Sequence, residues 1–363
     1  MRIPVTFRAE LLSPLVIARG RRERVHSSLD YIPGTSLRGA ILSAYMMING
    51  KDEVFERLLS PGRNVFPFLW PGPEGALPFA RSAVSCKRHG AAHGLSDVLV
   101  PHYKALAAVA DVRELEQAMK CPKCGEDRKP HQGYRRGGAE LPRPISTSRM
   151  NVGIDRRRLT AAPHILFGAE AIEPVVRDGE RWKPLDLTGL GWIEEEDLEV
   201  IEQISSAPLF IGKMRSRGYG RTKLRVTRRE PLRRAKEIAN RIDSLTARCG
   251  GGARYFTLDV VAPLIAYDRF LRAVSDPSEW LPKDLEAESV DAMAGTTIVA
   301  GWDMAARMPK DDEEAVAPGS AILARSKLSR DELARRLVSH EESGIGERRG
   351  EGFGRVVAND GFH

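Results

Sequence analysis

Two short clusters carry residue types that ligate metals. Cys86-Lys-Arg-His89 and Cys121-Pro-Lys-Cys124 each place two donors three positions apart. Together they supply the four nitrogen and sulfur ligands that tetrahedral zinc favours. Four protein ligands leave no open coordination position, so a structural zinc is expected, stapling a segment that is short of core. His93, His102 and His131 are alternative fourth ligands, and Cys249 stands apart from the set. Four cysteines in 363 residues suit metal ligation better than a disulfide framework.

Phosphate chemistry is written into two glycine-rich segments. The first reads Gly212-Lys-Met-Arg-Ser-Arg-Gly-Tyr-Gly-Arg221, and the second Gly344-Ile-Gly-Glu-Arg-Arg-Gly-Glu-Gly-Phe-Gly-Arg355. Glycine lets backbone amides approach a phosphate closely, and arginine forks bind phosphate oxygens in pairs. Lys213, Arg215, Arg217 and Arg221 are the cations of the first loop; Arg348, Arg349 and Arg355 are those of the second. The glycines that shape the loops are Gly218 and Gly220 in one, and Gly344, Gly346, Gly352 and Gly354 in the other. Tyr219 and Phe353, each held between glycines, either offer a face to a base or pack inward as anchors. The first loop opens a run, Lys213–Arg241, with twelve Lys or Arg against two acidic residues. The net +10 there exceeds the +7 of the whole chain, so the charge is concentrated as a polyanion partner requires. The second loop carries Glu347 and Glu351 and is much less basic. Neither loop is a mononucleotide cradle, because there is no Gly-x-x-x-x-Gly-Lys-Ser/Thr and each precedes a strand.

A third phosphate site is expected at Tyr31-Ile-Pro-Gly-Thr-Ser-Leu-Arg38. Pro33-Gly34 turns the chain, Thr35 or Ser36 caps a helix, and the free amides with Arg38 face an anion. A basic turn at Asp155–Arg158 between two runs of residues 144–167 predicts a protruding hairpin. Its tip either enters a nucleic acid or lies as a lid over its own domain.

The elements that position these residues occur twice. Phe7–Ala18 and Phe256–Tyr267 are both apolar, β-branched runs ended by a proline, at Pro14 and Pro263. Each half then closes with a helix, a glycine loop ending Gly-aromatic-Gly-Arg, and a strand. The helices are Glu194–Ser206 and Ser329–His340, the latter with Ser329 and Glu332 spaced as a capping box. From Pro14 to Arg221 is 207 positions, and from Pro263 to Arg355 is 92. The difference of 115 locates an insertion at about 70–184. The pattern is α+β: two βαββαβ, ferredoxin-like units, the first split by an insert holding the knuckles (86–124) and the hairpin (144–167). The expected domains are 1–230 and 254–363, joined by a linker at 231–253 containing Gly250-Gly-Gly. With 42% hydrophobic residues the chain can bury two cores. No stretch approaches the roughly 20 apolar residues that span a bilayer, and Met1–Gly20 has no secretory layout, so a cytoplasmic location is expected.

In their order, the motif Tyr31–Gly39, the two Gly-x-Gly-Arg loops and the run Ile154-Asp-Arg…Leu166-Phe-Gly-Ala-Glu170 resemble the RAMP superfamily of prokaryotic CRISPR proteins. With the Cys-Pro-x-Cys insert, the chain is most similar to the type III-D subunit at the crRNA 5′ end. The resemblance implies two RNA-recognition-like domains and a non-catalytic role, capping the repeat-derived handle of crRNA. Ser36, Arg38 and both loops would hold that handle. The hairpin would be a thumb, with Met150, Asn151, Val152 and Ile154 at its working edge. Partners would be the large polymerase-like subunit and the adjacent backbone subunit, with target RNA met indirectly. Some relatives cut RNA with a histidine or aspartate after the first strand, and His26 and Asp30 lie in that neighbourhood here. A third possibility is a protein-interaction scaffold that does not grip RNA.

Overall fold

The computed structural model describes every residue except 1, 20–24, 108–111, 231–233, 251, 304–305 and 307, and omits the side chains of 25–26, 107, 112, 163–167 and 303. The chain is mixed α+β and divides into two compact units. One comprises Met1–Ala76, Leu141–Arg229 and Ala300–Asp311; the other Leu77–Glu140, Glu230–Val299 and Asp312–His363.

The first unit is built on β1 (Arg2–Leu11), whose alternation puts Ile3, Val5, Phe7, Ala9 and Leu11 on one buried face. β1 is central in an antiparallel sheet. It lies between β3 (Asp186–Glu194) and β5 (Arg221–Arg228), with β2 (Trp70–Pro71) beyond β3 and β4 (Leu209–Phe210) beyond β5. Helices α1 (Gly34–Asn49) and α2 (Glu195–Ser205) close the core with Leu37, Ile41, Leu198, Ile201 and Ile204. One buried anion ties the first turn of α2 to its surroundings. Asp197 is fully buried and accepts hydrogen bonds from Arg57 Nε, Arg63 Nε and Asn64 Nδ2, each at 2.8 Å.

The second unit repeats the strand order. β6 (Arg254–Val260) lies between β8 (Ala321–Ser326) and β9 (Val356–Ala358), with β7 (Ala287–Met293) beyond β8. Helix α4 (Arg330–Ser343) joins β8 to β9 through the second glycine loop. The expected linker is instead helix α3 (Ala235–Cys249), which packs on β6 and α4 through Ile238, Ala239 and Ile242. That apolar spacing begins inside the basic run, whose charge dominates the sequence there. Gly250, in the left-handed region at φ 77°, ends the helix. Between β6 and β7 there are only the short α-helical turn Pro277–Trp280 and the 3₁₀ turn Lys283–Leu285, so α3 supplies the second helix of this layer. The capping box is absent: α4 begins after Ser329, but no side chain caps it, and Glu332 binds Arg336 at 2.6 Å.

The insert also divides differently from expectation. The hairpin stays with the first unit, whereas the cysteine-bearing segment belongs to the second. The cause is apolar and polar burial together. Helix Leu99–Ala107 places Leu99 and Val100 against Tyr255, Ala321 and Leu323, on the side of the sheet opposite α3 and α4. Buried Arg135 donates to Asp360 at 2.9 Å, and the buried His363 ring lies between Asp97 (3.1 Å) and Asp259 (2.7 Å). Burial disfavours the His363 cation, but the two carboxylates outweigh it and hold its pKa well above the ordinary value. No helix among the described residues is long and apolar enough to cross a membrane.

Replacing Asp197 with alanine strands three donors at once. The expected loss is about 2–4 kcal/mol in urea unfolding, with Asp197→Asn less damaging. An unchanged midpoint for Asp197→Ala would refute this account of how α2 is held.

Candidate nucleic-acid interface and metal cluster

Each glycine loop is clamped to the first strand of its own unit by the same hydrogen bonds. Gly220 N–H donates to the Pro14 carbonyl, and Gly354 N–H to that of Pro263, at 2.9 and 2.8 Å. Lys213 N–H donates to Val16 and Glu347 N–H to Ile265, both at 2.8 Å. Ile211 N–H binds the Gly220 carbonyl and Ile345 N–H that of Gly354, at 2.9 and 2.8 Å. Gly220 and Gly354 adopt φ of 77° and 65°, and a Cβ there would run into the carbonyls of Ile211 and Ile345. Met214 and Arg348 occupy equivalent left-handed positions at 61° and 55°, each followed by a 3₁₀ turn. Gly218 and Gly352, at 85° and 81°, end those turns. Gly344 is different: its amide bonds His340 and it terminates α4.

The two aromatics pack inward. Tyr219 is 8% exposed, beneath Val16, Ala169, Ala171 and Met214, and Phe353 is 3% exposed. Of the alternatives the sequence leaves, they are anchors, and neither face is open to a base.

Charge separates the loops. Lys213, Arg215, Arg217 and Arg221 are all exposed, as are Lys223 and Arg225 along β5. Among the described residues, Lys213, Arg215, Arg221, Lys223 and Arg225 make no ion pair. Beyond them the basic run is partly neutralised, by Arg228–Glu195 (2.9 Å), Arg229–Glu74, Arg234–Glu341 (3.0 Å) and Arg241–Glu237 (2.8 Å). In the second loop Arg348 is held by Glu351 at 2.6 Å and by Glu313, with its guanidinium 4.6 Å from the Phe353 ring centre. Burial depresses Arg355 to about 10 despite the nearby Glu341 carboxylate. Arg349 remains exposed. The lower charge of the second loop in the sequence is accompanied by arginines committed within their own unit: the loops share a backbone but not a surface.

The hairpin spans Ser146–Asp155 and Thr160–Ile172. Met150, Val152 and Ile154 are 56%, 50% and 63% exposed; Met150 and Val152 flank Asn151 and share one face, and the ladder shifts register between Val152 and Ile154. At the tip the Asp155 carboxylate accepts from the amides of Arg157 and Arg158. At its root Ala169 and Ala171 bury against Tyr219, which sets the hairpin directly on the first loop.

The site at α1 differs from expectation. The helix starts at Gly34 with Pro33 at the cap position, and neither Thr35 nor Ser36 caps it. Ser36 is half-buried, and Arg38 donates through Nη2 to the Leu59 carbonyl. Val25–His26 pairs in parallel with Gly168–Ala169. The side chain of His26, like Arg21, Arg22 and Arg24, lies outside the described residues. Asp30 is half-buried beside Tyr31, whose hydroxyl is pushed up to about 12 by burial and by that carboxylate.

Cys86, His93, Cys121 and Cys124 bring their ligand atoms within 4.8 Å of one another and could hold a metal. The fourth donor is His93, not His89, which lies on the exposed turn with its ring stacked on His93 at 4.0 Å. His102 is bound to Asp291 at 2.8 Å, and His131 lies 3.1 Å from Glu140. A tetrahedron with metal–sulfur bonds of about 2.3 Å has edges of about 3.8 Å. The Cys86–Cys124 and Cys121–His93 separations are both 3.6 Å, so the donor set fits such an ion. Burial opposes ionisation of the Cys121 thiol, but the amides of Lys123 and Cys124 bring it down to about 6. A ready thiolate is what a metal ligand requires.

With this geometry in place, a comparison with family models matches residues 8–86 to the RAMP superfamily. Over that stretch the chain is similar to the RAMP superfamily. The RAMP match runs from β1 through the Tyr31–Gly39 motif to the first knuckle and ends before either glycine loop. Among solved structures, a chain in the cryo-EM structure of Type III-B Cmr-beta bound to cognate target RNA is similar, with TM-score 0.47 and 12% identity over 94% of this chain and 96% of that one. A chain of the same assembly with target RNA and AMPPnP gives 0.42 and 12%, over 88% and 86%. A comparison with curated protein sequences finds no match.

Loaded with zinc and desalted, the wild-type chain and His89→Ala are expected to retain a single ion, and His93→Ala and Cys124→Ser to lose it. Elemental analysis checks this. Retention by His93→Ala together with loss from His89→Ala would restore the ligand set expected from the sequence.

Proposed function

We propose that this protein is a non-catalytic RNA-binding subunit of a type III CRISPR ribonucleoprotein, capping the 5′ repeat-derived handle of crRNA. The observation that carries the proposal is the row of exposed cations at Lys213, Arg215, Arg221, Lys223 and Arg225, lying at the root of an exposed apolar hairpin. Exposed lysines and arginines neutralise successive phosphates, and the glycine backbone keeps them in register. Met150, Val152 and Ile154 present an unpaired apolar edge suited to wedge between bases, the role of a thumb. With the two-residue β4 set aside, the order last-first-third-second in both sheets supports reading them as two ferredoxin-like domains. In this reading zinc in the Cys86–His93–Cys121–Cys124 cluster is structural. The partners are the large polymerase-like subunit and the adjacent backbone subunit, in the cytoplasm of a prokaryote. Ser36 and Arg38 contribute less than the first loop, because Arg38 is committed to a backbone carbonyl. Gly344–Arg355 serves to hold its own unit together, with Arg349 the cation left for a ligand.

The first experiment is a gel assay with end-labelled single-stranded RNA carrying the handle, with and without Mg²⁺. A shifted, intact band is expected. Shortened product abolished by His26→Ala or Asp30→Ala would make the chain a nuclease. The paired substitution Arg217→Glu with Arg221→Glu is expected to weaken binding and to flatten its salt dependence. On a single strand the slope falls by roughly 0.7 for each phosphate that is no longer neutralised. Unchanged affinity in that variant would favour the protein-scaffold reading.

A further inference from the structure

With Tyr219 and Phe353 buried, the first loop needs another face for a base. The structure offers one at the residue that introduces the loop. Phe210 is the second residue of β4, and its side chain is 45% exposed while Leu209 before it is buried. Its antiparallel register partner is Arg221. Directly opposed residues project to the same side of a sheet, and alternate residues on one strand do likewise. Phe210 therefore shares a face with Arg221, Lys223 and Arg225, all exposed, while Thr222 and Leu224 are buried on the other. Leu12, 43% exposed, donates its amide to the Arg221 carbonyl and borders the same spot. The result is a flat aromatic ring beside a row of cations spaced along an extended strand.

The internal repeat supplies a comparison. Phe210 lies ten positions before Gly220, and the residue ten positions before Gly354 is Gly344. The same backbone loop in the second unit thus has no aromatic there, and the counterpart of Arg221 is the half-buried Arg355. The shared loop architecture does not require a phenylalanine at this position. An exposed aromatic stands only where the arginine beside it also faces solvent.

We propose that Phe210 is the base-stacking side chain of the first loop, taking one unpaired base of a single-stranded RNA while Arg221 and Lys223 hold the flanking phosphates. This rests on the RNA-binding reading above and adds to it the residue that meets a base. Stacking on an aromatic face is tolerant of sequence, so Phe210 contributes affinity and the register of the strand, and does not select a particular base.

The test is a titration of the full chain with a short single-stranded RNA bearing 2-aminopurine, followed by anisotropy and by quenching of the base. Phe210→Ala and Phe210→Leu are expected to bind roughly five- to 150-fold more weakly, the range set by stacking of about 1–3 kcal/mol. Quenching disappears in both, and the slope of affinity against salt is unchanged, because the same phosphates are still neutralised. Phe210→Trp is expected to keep both affinity and quenching. Phe210→Leu preserves apolar bulk, so its circular dichroism and melting temperature separate a stacking defect from a folding defect. Binding and quenching in Phe210→Leu equal to wild type would overturn the assignment while leaving RNA binding intact. A shallower salt slope in the folded variant would also overturn it, by showing that Phe210 acts on phosphate neutralisation instead. A wild-type chain that binds no RNA would remove the underlying reading, and this inference with it.

Discussion

The molecule depends on a short backbone clamp in which a glycine amide reaches the carbonyl of the proline three residues past the first strand. Gly220 meets Pro14 and Gly354 meets Pro263, and each glycine carbonyl accepts a bond from the isoleucine on the other side of the loop. The geometry demands a left-handed backbone within van der Waals range of a peptide, which a side chain would block. Once the clamp closes, the last strand of each unit is fixed beside its first, and the aromatic between the two glycines turns under the loop. Cations on the loop then need no further support to be held in place.

The clamp is indifferent to what the loop displays, and the two units use that freedom in opposite ways. In the first, the side chains leaving the clamp are exposed cations, bordered by Phe210 and rooted against the hairpin. In the second, Glu313 and Glu351 hold Arg348, Glu341 lies near Arg355, and the sheet carries a helix on the face that α3 and α4 leave open. One unit presents a cationic surface, and the other invests the same topology in internal cohesion. The proposed handle-binding role thus falls mainly on one half of a duplicated plan.

Much of this was legible in the sequence because the repeat is punctuated by prolines and glycines whose backbone roles are narrow. Pro14, Pro263 and the Gly-aromatic-Gly-Arg endings mark strand exits and loop positions with little ambiguity. The fourth metal donor is harder to read. His89 completes a regular Cys-x-x-His spacing, yet the hairpin that starts at Cys86 swings His93 back to the cysteines. Helix α3 is concealed by its setting, since the helical spacing of Ile238, Ile242 and Leu245 lies between the end of the basic run and Gly250-Gly-Gly. The direction in which Tyr219 points depends on Ala169 and Ala171, about fifty positions away, and no local pattern encodes it. Phe210 leaves no trace in the pattern because two residues are too short a run to read as a strand.

The discontinuity of the second unit has a consequence for synthesis. Leu77–Glu140 leaves the ribosome before the sheet that it covers, and the chain must grow from 140 to 254 before the first of those strands appears. At ordinary elongation rates that interval is on the order of ten seconds. During it Leu99 and Val100 have no partner strand to bury them, and Arg135 has neither of its carboxylates. The cysteine cluster is a cohesive device that needs nothing made later, since all four donors lie between 86 and 124. A metal held there would tie this segment together before its partner strands are made.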